Sequence, residues 1–444
     1  MIAQFVQEHL NDDTARLILD RAKWPEIDID LAVNCIESRR KLKGKVQEWY
    51  DNPELIFPLK LSAEQCSSSA TGAFKAAYAQ SIFEKTRPAE VETPDRKMRL
   101  ADLTGGYGVD SWSFSKVADQ ILYCEMLSVL CDAARHNFAA LGATNIQVEN
   151  ITVSPSHHES SCHPERSEGS SLLATFQPDI IYLDPARRSE TGKKVFLIEE
   201  CTPDVLTLKD ELFTQSRNIL LKLSPMADIT MVCERLGRCC REVYVVAMGG
   251  ECKELLIWMD REWSDEYTIT AVELPSHLDF IYHQEHSESV SKASETDAKA
   301  TFCFTPSEEK AAQTSIATKE DITQANFLFE PGKALMKAGA FNTLCHRFGL
   351  KKLGRSTHYY IIGKEELVSG LGKTYQIISQ GPLDKRSIKA AGAAYPKSEV
   401  TARNIPMDTD TLRKKLGITS GDDAHIFGLK SDTAGNLLFI TRRF

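Results

Sequence analysis

Two acidic residues of this chain stand directly after apolar runs, where a buried strand would end. Asp184 follows DIIYL and opens the sequence DPARR, and Glu125 follows ILYC. Because a charged group is costly to bury, the change from apolar to charged residues predicts that each carboxylate lies at the edge of a sheet. There a carboxylate can orient a polar substrate, accept its proton or bind hydroxyl groups.

A glycine-rich segment, ADLTGGYGVD at 101–110, lies between a predicted strand and a predicted helix. It contains three glycines, Gly105, Gly106 and Gly108. Glycines permit a sharp turn and close approach to a ligand, and the helix behind them offers unpaired N–H groups to an anionic group. The dinucleotide fingerprint GxGxxG would need a glycine at Ser111 and does not fit. A lone turn of this kind is often only a connection, but followed by an acid-terminated strand it favours a nucleotide-type site.

The elements that position these residues divide the chain into regions. Residues 1–92 show apolar residues at three- and four-residue spacing, which predicts an all-α N-terminal domain. In 93–265 short apolar runs alternate with helical stretches, which predicts an α/β domain with a seven-stranded sheet. Its last two strands, 243–248 and 254–260, are separated by a short turn containing two glycines, and we expect an antiparallel hairpin.

The remaining regions are smaller or irregular. Residues 266–328 are predicted to be a linker with a small α+β, ferredoxin-like segment, including a polar tract at 283–300, and residues 329–444 a small basic α+β domain. Residues 154–171 are polar and serine-rich, which predicts a disordered insertion. The insertion contains His157, His158, Cys162 and His163. Their spacing matches no metal-binding template, so no metal site is predicted.

The composition is that of a soluble globular protein, with 42% hydrophobic and 26% charged residues among 444. No apolar run approaches the ~20 residues that a membrane span needs, and the N-terminus lacks the features of a secretory signal. The twelve cysteines are scattered and form no CxxC pair, which is typical of reduced cytosolic thiols. These features predict a cytoplasmic protein with no membrane partner.

Charge is distributed unevenly along the chain. Residues 321–444 contain 19 Lys and Arg against 11 Asp and Glu, a net charge of +8, whereas the other 320 residues contain 34 against 51, a net charge of −17. A basic C-terminal portion on an acidic body indicates contact with an anionic partner. A solvated basic face without a partner would give the same counts.

Through the glycine loop, Glu125 and the alternating elements, residues 97–265 resemble the class I S-adenosylmethionine-dependent methyltransferases. The resemblance implies a Rossmann-like sheet and S-adenosyl-L-methionine as the cofactor. It implies that Asp102 and the three glycines hold the methionine end, that Glu125 binds the ribose, and that Thr104 and Met126 also contact the cofactor. Near the adenine this sequence offers Asn150 and Thr152 where the family usually has an acid.

DPARR occupies the position of the family's fourth motif. Amino-methylating relatives have Asp/Asn-Pro-Pro-aromatic there; Asp184 and Pro185 match, whereas Ala186 and Arg187 replace the second proline and the aromatic residue. The resemblance implies that Asp184, with the Pro185 carbonyl, aligns a nitrogen acceptor; a capping or turn role is the other interpretation of this acid. Arg187 and Arg188 suit phosphate or a planar base edge, and a surface charge pair is the other interpretation of the two arginines. Uracil C5-methylating relatives need a cysteine after the fifth strand, and this chain has Ser224 there, so carbon methylation is disfavoured.

The whole chain is similar to a bacterial group of methyltransferases with a C-terminal THUMP-like domain, through LSAEQCSSSATGAFK (61–75) and FEPGKALMKAGAFNTLCHRFGL (329–350). This implies RNA methylation, in tRNA or rRNA, with guanine N2 as the candidate atom. Gln65, Ser68 and Thr71 would close over the cofactor, or else cap and pack a helix. The predicted phosphate contacts are Lys351, Lys352, Arg355, Arg413, Lys414, Lys415, Arg442 and Arg443. Two alternatives are a methyltransferase for a small molecule or a protein, and a non-catalytic RNA-binding protein.

Overall fold

The computed structural model describes residues 1–87, 97–153, 165–187, 197–275, 301–363 and 368–443. These residues form two compact units. The first contains Met1–Glu242 and Glu254–Asp265, and the second contains Val243–Lys253, Glu266–Leu274 and the described residues from 301 onward. The predicted polar tract at 283–300 and the four residues His157, His158, Cys162 and His163 lie outside the described residues.

Residues 1–87, called the leader below, are all-helical. Its helices are α1 (Ile2–Glu8), α2 (Thr14–Leu19), α3 (Ile29–Leu42), α4 (Gln47–Asp51), α5 (Lys60–Gln65) and α6 (Ser69–Thr86), with a 3₁₀ turn at Arg21–Lys23. Side-chain caps begin several of them: Asp13 accepts a hydrogen bond from the Ala15 amide, and Asp28 accepts one from Leu31.

The leader and the α/β region share one hydrophobic core. Trp49 and Phe57 of the leader lie in the same buried cluster as Tyr107, Trp112 and Phe138 of the α/β region. The Trp49 and Trp112 rings meet edge to face with centroids 6.0 Å apart. The described residues of 1–92 and most of those of 93–265, two domains in the prediction, therefore lie in one compact unit.

Most of the predicted sheet lies in the first unit, whereas its hairpin end, Val243–Lys253, belongs to the second unit. Its strands are β1 (Arg99–Asp102), β2 (Gln120–Cys124), β3 (Ile146–Glu149), β4 (Ile180–Leu183), β7 (Asn218–Leu223), β8 (Cys240–Met248) and β9 (Glu251–Asp260), and a two-stranded ribbon pairs β5 (Ala186–Arg187) with β6 (Cys201–Thr202). The sheet order is β3-β2-β1-β4-β7-β9-β8, and it continues with β10 (Thr268–Leu274) and β11 (Thr301–Phe304), which makes nine strands among the described residues where seven were predicted. The first five of these are parallel, and β9 runs antiparallel to β7.

Strands β8 and β9 form the predicted hairpin. The Asp260 amide donates to the Cys239 carbonyl over 2.8 Å. The two-residue turn is Gly249–Gly250, with φ of 62° and 79°, the left-handed values that a type I′ turn requires.

Five helices connect the strands of the first unit: α7 (Val109–Ser115), α8 (Ser128–Ala140), α9 (Glu165–Phe176), α10 (Val205–Gln215) and α11 (Ile229–Leu236), with a 3₁₀ turn at Ile198–Glu200. Helix α9 corrects the prediction of a disordered insertion at 154–171, because residues from 165 onward are helical. Leu173 and Phe176 are buried and anchor the C-terminal end of this helix. Residues 154–164 lie outside the described part of the chain.

The second unit has its own sheet. Its order is β13 (Lys351–Lys352), β14 (Tyr360–Ile362), β12 (Phe327–Pro331), β15 (Gly372–Pro382), β18 (Gly435–Arg443), β17 (Thr419–Ser431) and β16 (Lys397–Arg403). Neighbours are antiparallel except β16 and β17. This unit also contains the antiparallel pair β10 (Thr268–Leu274) and β11 (Thr301–Phe304), and the helices α12 (Pro306–Ala311), α13 (Lys319–Gln324), α14 (Lys333–Ala338), α15 (Phe341–Phe348), α16 (Lys385–Ala394) and α17 (Thr409–Leu416).

The predicted fold class is confirmed: an α/β methyltransferase-type sheet, an all-α leader and an α+β C-terminal region. Within the described residues, every helix is too short or too polar to cross a lipid bilayer.

Candidate functional site

A cavity of about 340 Å³ opens in the first unit at the carboxyl ends of the strands. Its wall is formed by the loops that follow β1, β2, β3 and β4, together with the C-terminal end of α5. Crevices at this edge are where open α/β sheets bind ligands. Of the predicted site residues, it is lined by Gln65, Asp102, Thr104, Gly105, Gly106, Gly108, Glu125, Met126 and Asp184.

Asp102 ends β1 and is almost fully buried. Its carboxylate accepts hydrogen bonds from the Ser111 hydroxyl over 2.5 Å and from the Thr104 amide over 3.0 Å. Burial raises the pKa of Asp102 to about 7, and the nearby carboxylates of Asp110 and Asp184 act in the same direction. Near neutral pH, this acid can therefore gain or lose a proton when a charged ligand arrives.

The glycine loop needs its glycines for packing as well as for backbone freedom. Gly106 and Gly108 have φ of 54° and 86°, in the left-handed region. A Cβ on Gly105 would lie 2.2 Å from the Tyr123 ring, and one on Gly108 would lie 2.5 Å from the Phe138 ring. Side chains at these positions would push the loop away from the sheet and into the cavity.

Glu125 follows β2 and is held by two backbone amides. Gly106 N donates to its Oε2 over 3.0 Å, and Leu127 N donates to its Oε1 over 2.9 Å. Met126 lies beside it with 59% of its surface exposed and also lines the cavity. A carboxylate oriented in this way retains lone pairs for a vicinal diol.

Asp184 is connected to the glycine loop through Thr104. The Asp184 amide donates to the Thr104 hydroxyl oxygen over 2.7 Å. Asp184 and Glu125, predicted from two separate strands, line the same cavity.

The residues that follow Asp184 do not all share its position. Pro185 is buried beside Asp184 and does not line the cavity. The backbone of Arg187 pairs with Cys201 in the ribbon, whereas its side chain and all of Arg188 lie outside the described part of the structure.

Three of the predicted cofactor residues have other contacts. Ser68 and Thr71 form a capping box at the start of α6 and are buried, which agrees with capping and packing and not with cofactor contact. Asn150 donates to the Glu125 carbonyl over 2.8 Å and does not line the cavity. Thr152, the other residue that the sequence offered near the adenine, does line the cavity, as does Val153.

The sequence interpretation missed a cluster of charges at this end of the sheet. Lys222, on β7, donates to Asp184 Oδ2 over 2.5 Å. Lys75, on α6, is fully buried and donates to both Glu254 oxygens over 3.0 and 2.9 Å, and its ammonium lies 3.2 Å from Asp110 Oδ1. A signal was present, because Lys222 interrupts the apolar run NILLKLS and Lys75 interrupts the small-residue run AFKAAYA. Charged residues in buried elements are rare unless they are paired.

Asp110 completes the cluster. Its Oδ2 accepts hydrogen bonds from the Tyr182 hydroxyl over 2.8 Å and from Ser67 over 3.0 Å. The neighbouring lysines, Lys75 and Lys222, keep the pKa of this buried carboxyl below its usual value although burial opposes them. Burial raises the pKa of Glu254.

In the second unit, the predicted phosphate contacts are not equivalent. Arg355, Lys414, Lys415, Arg442 and Arg443 are exposed. Lys351 pairs with Asp321 over 2.6 Å, and Arg413 contacts Glu399. Lys352 corrects the prediction: it is only 3% exposed, with its ammonium 5.4 Å from the centre of the Phe341 ring, so it cannot reach an RNA phosphate.

The strand order β3-β2-β1-β4-β7-β9-β8, with parallel strands followed by an antiparallel hairpin and with a glycine loop after β1, is that of the class I methyltransferases. Two family models match the second unit: one described as a ferredoxin-like domain at 327–366 and one described as THUMP domain-like at 372–443. The chain is thus a methyltransferase-fold protein with a C-terminal THUMP-like domain. The ferredoxin-like match at 327–366 overlaps by only two residues with 266–328, the segment for which the sequence predicted that fold.

Among solved structures, this chain is similar over 100% of its length to 97% of a protein from Porphyromonas gingivalis W83 described as a "putative methyltransferase", with 27% identity and a TM-score of 0.77. A protein from Agrobacterium tumefaciens described as a "predicted O-methyltransferase" has 15% identity and a TM-score of 0.28, and the match covers 40% of this chain and 81% of that one. The 16S rRNA N2 G1207 methyltransferase of T. thermophilus gives 14% identity and a TM-score of 0.29, over 47% of this chain and 46% of that one. A search of the curated proteins found no match.

Proposed function

We propose that this protein transfers a methyl group from S-adenosylmethionine to RNA. The observation that supports the proposal most directly is the position of Glu125 and Asp184, which line one cavity together with the glycine loop. One acid is placed to bind the donor and the other to align the acceptor, and holding two reactants in such a geometry is a major source of catalysis.

The cavity residues fit this cofactor. Glu125 is already oriented by the amides of Gly106 and Leu127 and can accept the two ribose hydroxyls. Asp102 can pair with the amino group of the methionine end once it is ionised. The exposed Met126 offers an apolar surface to the adenine. When bound, the cofactor supplies an activated sulfonium methyl group.

The basic residues of the second unit support RNA as the acceptor. Arg355, Lys414, Lys415, Arg442 and Arg443 are exposed cations on a domain that matches a THUMP-like model. Phosphate contacts of this kind give affinity that falls steeply with salt. A small-molecule or protein methyltransferase would leave these cations without a role in the reaction, and a non-catalytic RNA-binding protein would not need Glu125 and Asp184 in one cavity.

The acceptor atom predicted from the sequence is a base nitrogen such as guanine N2. That role requires Asp184 to accept hydrogen bonds from the amine. One oxygen of Asp184 already accepts a hydrogen bond from Lys222. Which group can accept the methyl therefore depends on this ion pair.

The test has two parts. Calorimetric titration with S-adenosylhomocysteine should show binding to the full chain and weaker binding to Glu125→Gln. Mass spectrometry of RNA nucleosides from cells with and without the gene should then show one methylated nucleoside missing in the deletion. Absence of S-adenosylhomocysteine binding would leave only the RNA-binding alternative, and binding with an unchanged set of nucleosides would favour a small-molecule or protein acceptor.

A further inference from the structure

Two ammonium groups and three carboxylates meet beside the cavity, which Asp110 and Asp184 line, and the proposed function so far uses only one of the five groups, Asp184. The other four are Lys75 on α6, Asp110 on α7, Lys222 on β7 and Glu254 on β9. They come from four different elements of the first unit, so their convergence is a property of the fold and not of one motif.

Lys222 is the member of this cluster that contacts Asp184. Its ammonium lies 2.5 Å from Asp184 Oδ2, and its side chain is 14% exposed, whereas that of Asp184 is 34% exposed. Burial alone would lower the pKa of Lys222, but the carboxylates of Asp184, Glu254 and Asp110 outweigh burial and raise it above its usual value. The side chain is thus a fixed positive charge beside the acceptor position.

The positive charge of Lys222 is compatible with the second buried lysine, Lys75, because Lys75 has carboxylate partners of its own. Lys75 neutralises Glu254 and Asp110, to which its ammonium lies 2.9 and 3.2 Å away, respectively. The second oxygen of Asp184, Oδ1, has no hydrogen-bond partner among the described residues. A group bound by this oxygen would lie within a few ångströms of the Lys222 ammonium.

The sign of the charge that develops on the acceptor then decides which acceptor fits. A nitrogen nucleophile becomes more positive as the methyl group transfers, and a fixed ammonium opposes that change. A hydroxyl oxygen losing its proton becomes more negative, and a preorganised ammonium stabilises it. In addition, Ala186 lines the cavity where amino-methylating relatives have a residue of the proline-aromatic pair, so the described residues offer no ring at this position on which a base could stack.

On this basis, and resting on the proposed function, we propose that the acceptor is a 2′-hydroxyl group of RNA, with its proton accepted by Asp184 and its developing charge stabilised by Lys222. The 2′-hydroxyl is the hydroxyl that every internal nucleotide of RNA presents, and it is displayed in the shallow minor groove. Unlike a paired base, it can be reached without flipping a nucleotide out of its stack.

The reaction balances with the groups named. The acceptor oxygen forms a bond to the methyl carbon while the bond from that carbon to sulfur breaks. The electron pair of the broken bond stays on sulfur, which becomes neutral. The hydroxyl proton passes to Asp184 Oδ1 and from there to water, so that no oxidant, reductant or further co-reactant is required.

The position of the methyl group tests the proposal. RNA from cells lacking the gene is incubated with the full chain and methyl-labelled S-adenosylmethionine, then hydrolysed in alkali, and the label is located by mass spectrometry. A 2′-O-methyl group blocks cleavage of the adjacent phosphodiester, so the label should appear in an alkali-stable dinucleotide. Label on a base in a mononucleotide would overturn the 2′-hydroxyl proposal and leave the proposed function intact. Absence of label from RNA would overturn both.

Substitutions at Lys222 test the residue. In Lys222→Met, the methylation rate should fall about 10²- to 10³-fold, while the Kd for S-adenosylhomocysteine should change less than about threefold, because Lys222 does not line the cavity. Lys222→Arg, which keeps the charge, should recover part of the rate. Lys209→Met, which removes a lysine that pairs with Asp210 in α10, should resemble the unmodified chain. A Lys222→Met enzyme with an unchanged rate, or one that also loses S-adenosylhomocysteine binding, would refute this role.

The ionisation state of Lys222 supplies a readout that does not depend on turnover. The amine of Lys222 should titrate above the usual lysine value when followed by NMR of the labelled side chain, and Asp184→Asn should lower its pKa. An amine that titrates below the usual value would be neutral too readily to act as a fixed positive charge, and the inference would fail.

Discussion

Gly106 donates its backbone N–H to Oε2 of Glu125 over 3.0 Å, so the loop after β1 and the acid after β2 are joined without a ligand. The second carboxylate oxygen is held by the Leu127 amide over 2.9 Å. Two hydrogen bonds fix the orientation of the side chain, and a ribose that binds there meets an acceptor that has already lost its rotational freedom.

Glu125→Gln should weaken this site. The amide cannot accept two backbone hydrogen bonds with its NH₂ end, and hydrogen bonds to a charged group contribute about 1.5–3 kcal/mol. We expect the Kd for S-adenosylhomocysteine to rise about 10- to 100-fold by calorimetry. Glu149→Gln, at the end of the neighbouring strand β3, should leave it unchanged, since Glu149 does not line the cavity. Equal effects of the two substitutions would contradict the role of Glu125.

Cofactor affinity should depend on pH through Asp102. Burial raises the pKa of its carboxyl to about 7 in the free protein, and only the ionised form can pair with the ammonium of the ligand. Affinity should therefore rise as the pH increases through 7, by about tenfold between pH 6 and pH 8, and level off above that range. In the free protein the sign is reversed: the protonated acid contributes stability below about pH 4 that is lost as the pH rises to 7.

The matched variant for this titration is Asp102→Asn. It should bind S-adenosylhomocysteine with an affinity that no longer rises between pH 6 and pH 8. A pH dependence that survives the substitution would assign the titration to another group.

Gly108→Ala should destabilise the glycine loop for two reasons. The residue has φ of 86°, and its new Cβ would lie 2.5 Å from Phe138. A left-handed backbone costs about 1–2 kcal/mol and overpacking about 1–3 kcal/mol, so we expect the free energy of unfolding to fall by about 2–5 kcal/mol. Gly142→Ala shares the positive φ, at 70°, but has nothing within 4 Å of its Cβ, so it should show the backbone part alone. Denaturant titrations that give equal losses would exclude the steric part.

Lys75→Met should be among the more destabilising substitutions in the first unit. It leaves Glu254 and Asp110 buried without their shared cation, and breaking a buried pair costs about 3–5 kcal/mol. The double variant Lys75→Met/Glu254→Gln should recover part of this loss in denaturant titrations. Lys85→Met, on the same helix with a half-exposed ion pair to Glu242, should cost about 1 kcal/mol or less. A small effect of Lys75→Met would mean that the cluster is not strongly coupled.

The exposed cations of the second unit should control the salt dependence of RNA binding. In Lys414→Gln/Lys415→Gln, affinity for RNA should fall, and the slope of log affinity against log salt should decrease by about 1–2. Lys319→Gln, on α13 and outside the predicted set, should leave the slope unchanged. Filter binding across a salt series measures both. An unchanged slope in the double variant would remove these two residues from the interface.

The cavity residues could be predicted because they follow strands directly. Glu125 and Asp184 are separated by 59 positions in the sequence, but parallel strands place their carboxyl ends at one edge, so acids after two such strands come together. The same reasoning gave Asp102 and the glycine loop, which lie between β1 and α7.

The charge cluster could not be found in this way. Lys75, Lys222 and Glu254 lie inside a helix and two strands, and nothing in a single sequence shows that three buried charges on separate elements face one another. Lys352 was misjudged for a related reason, because a lysine in the run LKKLG gives no indication of which neighbour packs on an aromatic ring. The Ser68 and Thr71 pair was ambiguous because capping boxes and ligand contacts use the same residue types.

Tyr107, in the middle of the glycine loop, hydrogen-bonds to the Leu59 carbonyl and lies 3.1 Å from the Ser38 hydroxyl. Both partners belong to the leader, so two contacts from the leader hold the loop that would bind the methionine end. A shorter protein that contained only the sheet region would lack both contacts. We therefore expect the loop to need residues of both segments to keep this conformation.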